Sequence, residues 1–221
     1  MKIQTAEVGL FQTNCYILTA EDGACLVIDP GDANGAVLRY LQQNRIRPDW
    51  IVVTHGHQDH YGDAAVLAKT LDVPILYPEG DVDYVLSRTA RSGVNTADSG
   101  EAFIQALREH GHLIRDGETL EWGGMCFRLL TLAGHTDAGL CLYDPDGARL
   151  WAGDNLFYGS IGRTDLYRGD PGDLVRSITQ KLLVLPDQTT VYSGHGRSTT
   201  IGFERAHNPY LQEGGAEPWR W

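Results

Sequence analysis

Apolar and polar positions change period several times along the chain, and each change predicts an element. The runs KIQTAEV (2–8), TNCYILT (13–19) and GACLVID (23–29) are alternating or continuous in β-branched and apolar residues. Glu21-Asp22-Gly23 and Pro30-Gly31 punctuate them, so a three-stranded meander is predicted. From about Ala33 to Asn44 the period becomes helical, with Val37, Leu38 and Leu41 on one face. DWIVVT (49–54) returns to strand and residues 63–71 to helix, before PILY. Asp98-x-x-Glu101 has the form of a capping box, ahead of an amphipathic helix that carries Phe103, Ile104 and Leu107 and ends near Gly111.

The second half repeats this style. MCFRLLTL, GLCLY and ARLWAG read as strands, PGDLVRSITQKLLVL as a helix opened by Pro171, TTVYSG as a strand and residues 202–212 as a last helix. Strand clusters alternating with helices in both halves predict an α/β (α+β) chain, two β-sheets packed face to face with helices on the outer faces. No Gly/Ser linker or low-complexity tract divides the 221 residues, so one domain spanning 1–221 is expected.

Composition narrows the partners. A formal net charge of −11 argues against a surface that tracks nucleic-acid phosphates. The N-terminus MKIQTAEVGLF lacks an apolar export core, and no run of about 18 apolar residues occurs, so a cytoplasmic protein with no membrane partner is expected. Cys15, Cys25, Cys126 and Cys141 sit singly in apolar runs without C-x-x-C spacing and are expected to be buried free thiols.

The chemistry is concentrated in IVVTHGHQDHYGD, residues 51–63, where His55, His57, Asp59 and His60 follow a strand. Three later strands end in a glycine and then a ligand type: His135, Asp154 and His195. Glycine lets the backbone turn sharply, so strand ends can deliver such groups into one cleft. A single histidine at a strand end is as often a structural hydrogen-bonding residue. Three imidazoles within six residues, joined by three later glycine-preceded ligand types, point instead to metal. With five histidines, two aspartates and no thiolate, the set suits zinc or iron and exceeds what one catalytic ion needs. The count closes if His55, His57 and His135 hold one ion, Asp59, His60 and His195 a second, and Asp154 bridges them. His110-Gly111-His112 copies the H-x-H spacing but no Asp-His follows; it and His207 read as structural or exposed.

THGHQDH, AGHT, AGD and SGHG, in this order across almost the whole chain, resemble the metallo-β-lactamase superfamily. The resemblance implies the αββα metallo-β-lactamase fold, metals at one edge between the sheets, and the same division of ligands. GDNLFYGSIGRTDLYRGDPGDLVRSI (153–178) and the ending GHGRSTTIGFERAHNPYL are similar to short bacterial glyoxalase II-like hydrolases. These resemble the hydroxyacylglutathione hydrolases, which cleave S-(2-hydroxyacyl)glutathione thioesters. The sequence stops soon after Asn208-Pro209, before the helical C-terminal domain that carries much of the glutathione site in full-length glyoxalase II.

The likeness implies two divalent ions, zinc first with iron or manganese as alternatives, and a small-molecule thioester substrate attacked by water activated between them. Asp59 and Asp154 would serve catalysis as ligands. Arg163 falls at a basic glutathione contact, although Asp165 stands where full-length enzymes have a tyrosine. Arg197, just after the last histidine, replaces another tyrosine and is a second substrate-binding candidate. Asp29 in VIDPGD either orients a metal-binding histidine or stabilises the turn at Pro30-Gly31. Rival readings are a one-iron persulfide dioxygenase, which shares GRTD (162–165) but has cysteine where Ile161 stands, a lactonase or β-lactam hydrolase, and a non-catalytic metal-binding protein. The segment Asp81–Gly117 is expected to cover the cleft or to contribute to a dimer. The pattern leaves the oligomeric state open.

Overall fold

The computed structural model describes residues 1–31, 34–92 and 96–212, apart from the side chains of 91, 92 and 96–99. The strands are β1 (Lys2–Val8), β2 (Thr13–Thr19), β3 (Cys25–Ile28), β4 (Trp50–Val52), β5 (Ile75–Pro78), β6 (Gly111–Ile114), β7 (Thr119–Trp122), β8 (Met125–Leu132), β9 (Gly139–Asp144), β10 (Arg149–Gly153), β11 (Leu156–Phe157), β12 (Ser160–Ile161), β13 (Thr190–Ser193) and β14 (Thr199–Thr200). The helices are α1 (Ala36–Gln43), α2 (Gln58–Tyr61), α3 (Ala64–Leu71), α4 (Val82–Ser92), α5 (Thr96–His110), α6 (Pro171–Ser177) and α7 (Ile201–His207).

One sheet runs β1-β2-β3-β4-β5-β6 and the other β14-β13-β10-β9-β8-β7; β11 and β12 form a separate hairpin. Both sheets are mixed. β1, β2 and β3 form the antiparallel meander and β3 to β6 are parallel. In the second sheet only the β10–β13 pair is parallel.

Period-2 alternation sorts the strand residues into separate cores. Tyr16 and Leu18 of β2, Leu26 and Ile28 of β3, Leu140 and Leu142 of β9 and Trp151 of β10 face the other sheet and form the central layer. The intervening residues Ile17 and Val27 pack outward against Leu41 of α1, Leu67 of α3 and Phe103 of α5. On the far side Cys141, Leu150 and Ala152 pack against Leu174 of α6 and the turn carrying Ile178 and Leu182. Strands buried on both faces explain why their sequences read as continuous apolar runs. Among the described residues no helix is long and apolar enough to cross a membrane.

Several expectations are corrected. Short edge strands β6 and β7 occupy segments in which no strand was expected, because GHLI begins directly where α5 ends at His110 and TLEW buries only alternate residues. The last helix stops at His207, since the ring of Pro209 disfavours helical backbone at Asn208, which is extended (φ −71, ψ 116). Cys126 is exposed, lying on the outward phase of β8, whereas the other three thiols are buried. α5 begins at Thr96, ahead of the expected capping residue, and the side chain of Asp98 lies outside the described residues.

Leu26 has no exposed surface in the central layer. Leu26→Ala is expected to lower the free energy of unfolding by about 2–5 kcal/mol, read as a shifted denaturant midpoint with little change in slope.

Candidate metal centre

Ligand types collect where strands of both sheets end at one edge of the sandwich. β4 leads into His55 and His57, and α2 follows at once with Asp59 and His60. β8 leads to His135, β10 to Asp154 and β13 to His195. The three glycines before these last ligands serve two different needs. Gly134 and Gly153 take positive φ (+124 and +51), whereas Gly194 is required for space: a Cβ there would lie 2.1 Å from Asp154 Oδ1.

His55, His57 and His135 bring ligand atoms within 4.8 Å of one another, as do Asp59, His60 and His195, and a third such set, His55, His60 and Asp154, joins the two. Asp154 Oδ2 lies between them, 3.6 Å from His135 Nε2 and 3.5 Å from His195 Nε2.

Each imidazole is fixed by its outer nitrogen, and this network assigns the tautomers. Thr54 Oγ1 donates to Asp29 Oδ2 (2.8 Å) and therefore accepts from His55 Nδ1 (3.0 Å). His60 Nδ1 donates to the same Asp29 oxygen (2.8 Å), His135 Nδ1 to the Arg163 carbonyl (2.8 Å) and His195 Nδ1 to the Phe11 carbonyl (3.0 Å). His57 turns the other way, its Nε2 lying 2.8 Å from the Tyr84 hydroxyl and its Nδ1 2.9 Å from His55 Nε2.

Inner nitrogens consequently face inner nitrogens. His55 Nε2 and His135 Nε2 are 3.2 Å apart, and His60 Nε2 and His195 Nε2 are 3.3 Å apart. Lone pairs opposed at such distances repel unless a proton or a cation lies among them. Among the described residues Asp154 Oδ1 is buried without a hydrogen bond, and His60 Nε2 lies 3.4 Å from it. Converging imidazole nitrogens and an unpartnered carboxylate oxygen fit divalent cations of the zinc or iron type.

The sequence profile of the metallo-β-lactamase superfamily matches residues 8–195. The chain belongs to this superfamily. It is 33% identical over 211 residues to the hydroxyacylglutathione hydrolase GloC of Haemophilus influenzae, covering 96% of this chain and 98% of that protein. Among solved structures it is similar to the BLEG-1 B3 metallo-beta-lactamase (TM-score 0.81, 31% identity, 96% of this chain and 100% of the other). It is also similar to TTHA1623 in a di-iron-bound form (TM-score 0.76, 32% identity, 94% and 100%).

Within this metallo-β-lactamase fold the two ligand groups differ electrically. Burial, reinforced by mutual repulsion, pushes the His55 and His57 pKa values well below the usual range, and burial also lowers His135. Burial works against protonating His195 too, but hydrogen bonds to Asp154 and Asp59 lift it to about 10. The charges of Asp154 and Asp29 likewise overcome burial and raise His60. Burial would raise Asp59, yet the His195 hydrogen bond and the His60 charge hold it down at about 2.

Asp29 sits in the left-handed region (φ 50) and accepts from Thr54 N (2.8 Å), from Thr54 Oγ1 and from His60, so one carboxylate orients a histidine in each group. Arg163 lines the cleft, but its guanidinium donates to both oxygens of Asp165 at 2.8 Å. Arg197, expected at the substrate, stands outside the cleft lining, its guanidinium 3.4 Å above the Tyr158 ring centroid, where cation–π attraction holds it. His112 packs edge-on to Trp50 and His207 stacks on Phe203, both away from the centre.

Among the supporting residues that the motifs do not mark are Asp81 and Tyr84. Asp81 accepts from Gly56 N (2.6 Å) and Ala138 N (3.1 Å), tying the His55–His57 loop to the loop after His135. Tyr84 supports His57 from α4. Neither carries a local signal, since only the tertiary fold brings residues 81–88 to the cluster.

Neighbouring carboxylates favour protons on His60 and His195, and cation loading must expel them. Titrating zinc into metal-free protein should therefore release about two protons per chain, seen with a pH indicator. The His195 contribution to metal-free stability is complete below its usual 6.5 and disappears as pH rises through about 10, a loss measurable as a falling Tm. Asp29→Asn, which tolerates the positive φ, should leave the fold intact and weaken metal binding about 10–100-fold against a competing chelator.

Proposed function

We propose that the protein is a dinuclear metal-dependent hydrolase of small-molecule thioesters, of the S-(2-hydroxyacyl)glutathione type, with zinc as its ions. The observation that carries this reading is the two pairs of opposed imidazole nitrogens on either side of Asp154, 3.2 Å apart in one and 3.3 Å in the other, each nitrogen's ring backed by a committed outer hydrogen bond. His55, His57 and His135 would hold one ion, Asp59, His60 and His195 the other, with Asp154 between them. Bound cations would make water nucleophilic near neutral pH and polarise the substrate carbonyl.

The chain's own residues then position and exclude. A cleft of about 780 Å³ opens over the cluster, walled by Leu10, Phe11, Phe157, Ile161 and Leu166. Apolar walls displace water from around the reacting carbonyl and strengthen the electrostatic interactions beneath it. Thr13 Oγ1 donates to Asp59 Oδ2 (3.2 Å), fixing that carboxylate as an acceptor and ligand group rather than a freely moving base. Ser160 reaches the cleft, but its hydroxyl donates to the Ile161 carbonyl (3.4 Å), with no imidazole to activate it. Likeness to a hydroxyacylglutathione hydrolase along 96% of the chain supports the thioester as substrate class.

Protein with counted metals, offered S-(2-hydroxyacyl)glutathione, lactones and β-lactams, is expected to release thiol from the thioester fastest. Asp154→Ala should lose metal and turnover together, by roughly a hundredfold or more in kcat. A variant that keeps two metals and the normal rate would overturn the assignment, and oxygen uptake on glutathione persulfide would mark a dioxygenase instead.

A further inference from the structure

Among the described residues two guanidinium groups line the cleft, and their surroundings differ. Arg163 is neutralised by its fork of hydrogen bonds to Asp165. Arg88, on α4, is exposed at the cleft, and among the described residues no carboxylate pairs with it. It lies one helical turn from Tyr84, on the same face, and near enough for its charge to oppose the rise that burial gives that tyrosine's pKa; the Tyr84 hydroxyl is 2.8 Å from His57 Nε2. Arg88 therefore stands a single side chain away from the candidate metal group. Apart from Gln58 and Ser160 the wall above the ligand-type residues is otherwise apolar, and its rim is the hairpin tip between β1 and β2, where Leu10 and Phe11 are 93% and 72% exposed.

Charge makes this placement selective. The chain as a whole carries −11, so a cation on the cleft wall supplies what the surrounding surface lacks for receiving an anionic group beside the metal centre. A guanidinium with no carboxylate partner among the described residues offers a two-pronged donor matched to a carboxylate.

We propose that Arg88 is a specificity-determining residue that holds a carboxylate of the substrate, while Leu10 and Phe11 cover its apolar part. The cleft is thus built for amphipathic, carboxylate-bearing thioesters. This inference depends on the hydrolase reading for its chemistry but not for its binding.

The test uses the full metal-loaded chain and three matched thioesters: one with a carboxylate on the acyl part only, one with it on the thiol part only, and one with both converted to methyl esters. A non-hydrolysable thioether of each serves as the binding probe. Arg88→Ala should raise KM, and the thioether Kd, about tenfold more for the acid that Arg88 holds than for the methyl ester, with kcat changing less than about threefold. Arg88→Lys should recover part of the loss and Arg88→Glu deepen it. The acid that loses affinity identifies which half of the substrate carries the recognised carboxylate. Equal losses for acids and methyl ester, or no loss for either acid, overturn the proposal. Acid thioethers that bind through Arg88 while no thioester is hydrolysed would refute the hydrolase reading and uphold the role of Arg88.

Discussion

Asp154 is a carboxylate held out of water at the edge where the two sheets meet, and the cost of keeping it there governs its surroundings. An uncompensated buried carboxylate costs several kcal/mol, so positive charge has to be supplied nearby. Asp29 and Asp59 deepen the demand rather than relieve it. His60 and His195 meet it in the metal-free chain by holding protons, whereas His55, His57 and His135, crowded and buried, stay neutral. Divalent ions satisfy the same carboxylates without those protons. The arrangement favours cations over other ways of relaxing, because every imidazole is pinned from behind and cannot swing away.

Pinning of this kind needs a rigid frame, and the topology supplies one. Asp29, His55 and Asp81 follow the C-terminal ends of β3, β4 and β5, three neighbouring parallel strands. Asp154 and His195 follow the ends of β10 and β13, the parallel pair of the other sheet. Open α/β sheets place ligands at such carboxyl ends, and here two sheets aim theirs at a common volume. Asp29 spans the groups through Thr54 and His60 from a left-handed backbone conformation that few residues other than Gly, Asn or Asp accept. Asp81 binds amides of loops that belong to different sheets. Strain at the first and burial of the second, whose pKa is raised by desolvation, are carried by the packing around them.

Local periodicity made most of this frame legible. β2, β3, β9 and β10 are apolar on both faces and cannot be mistaken for loops, and the seven ligand-type residues stand in dense or glycine-marked settings. Legibility ended where an interaction joined distant segments. Tyr84 and Arg88 look like ordinary positions on an amphipathic helix, and only packing of α4 beside the His55–His57 loop gives them a role. Arg163 was readable as a cation but its pairing with Asp165 decides its availability, just as the ring of Tyr158 decides that of Arg197. Gly194 shows the same limit: before a ligand it suggests a turn, yet its φ is not positive, and the need for glycine comes from Asp154 on another strand.

The cleft therefore has a floor and walls of different physical character. The floor is over-determined: its ligand-type groups are bound to backbone, to Asp29 or to one another, and moving any of them disturbs both sheets. The walls share segments with that network, since the Phe11 carbonyl holds His195 and Tyr84 of α4 holds His57, but the side chains of Leu10, Phe11 and Arg88 point from those segments to the cleft and solvent. Substitutions there exchange one solvent-facing side chain for another without leaving a buried carboxylate or imidazole uncompensated. One hydrolytic floor can accordingly serve substrates of different charge and shape, which is why fold alone does not select among thioesters, lactones and β-lactams. The selection belongs to the few residues that meet the substrate above the cluster, and Arg88 is the one whose charge the surrounding acidic protein does not already supply.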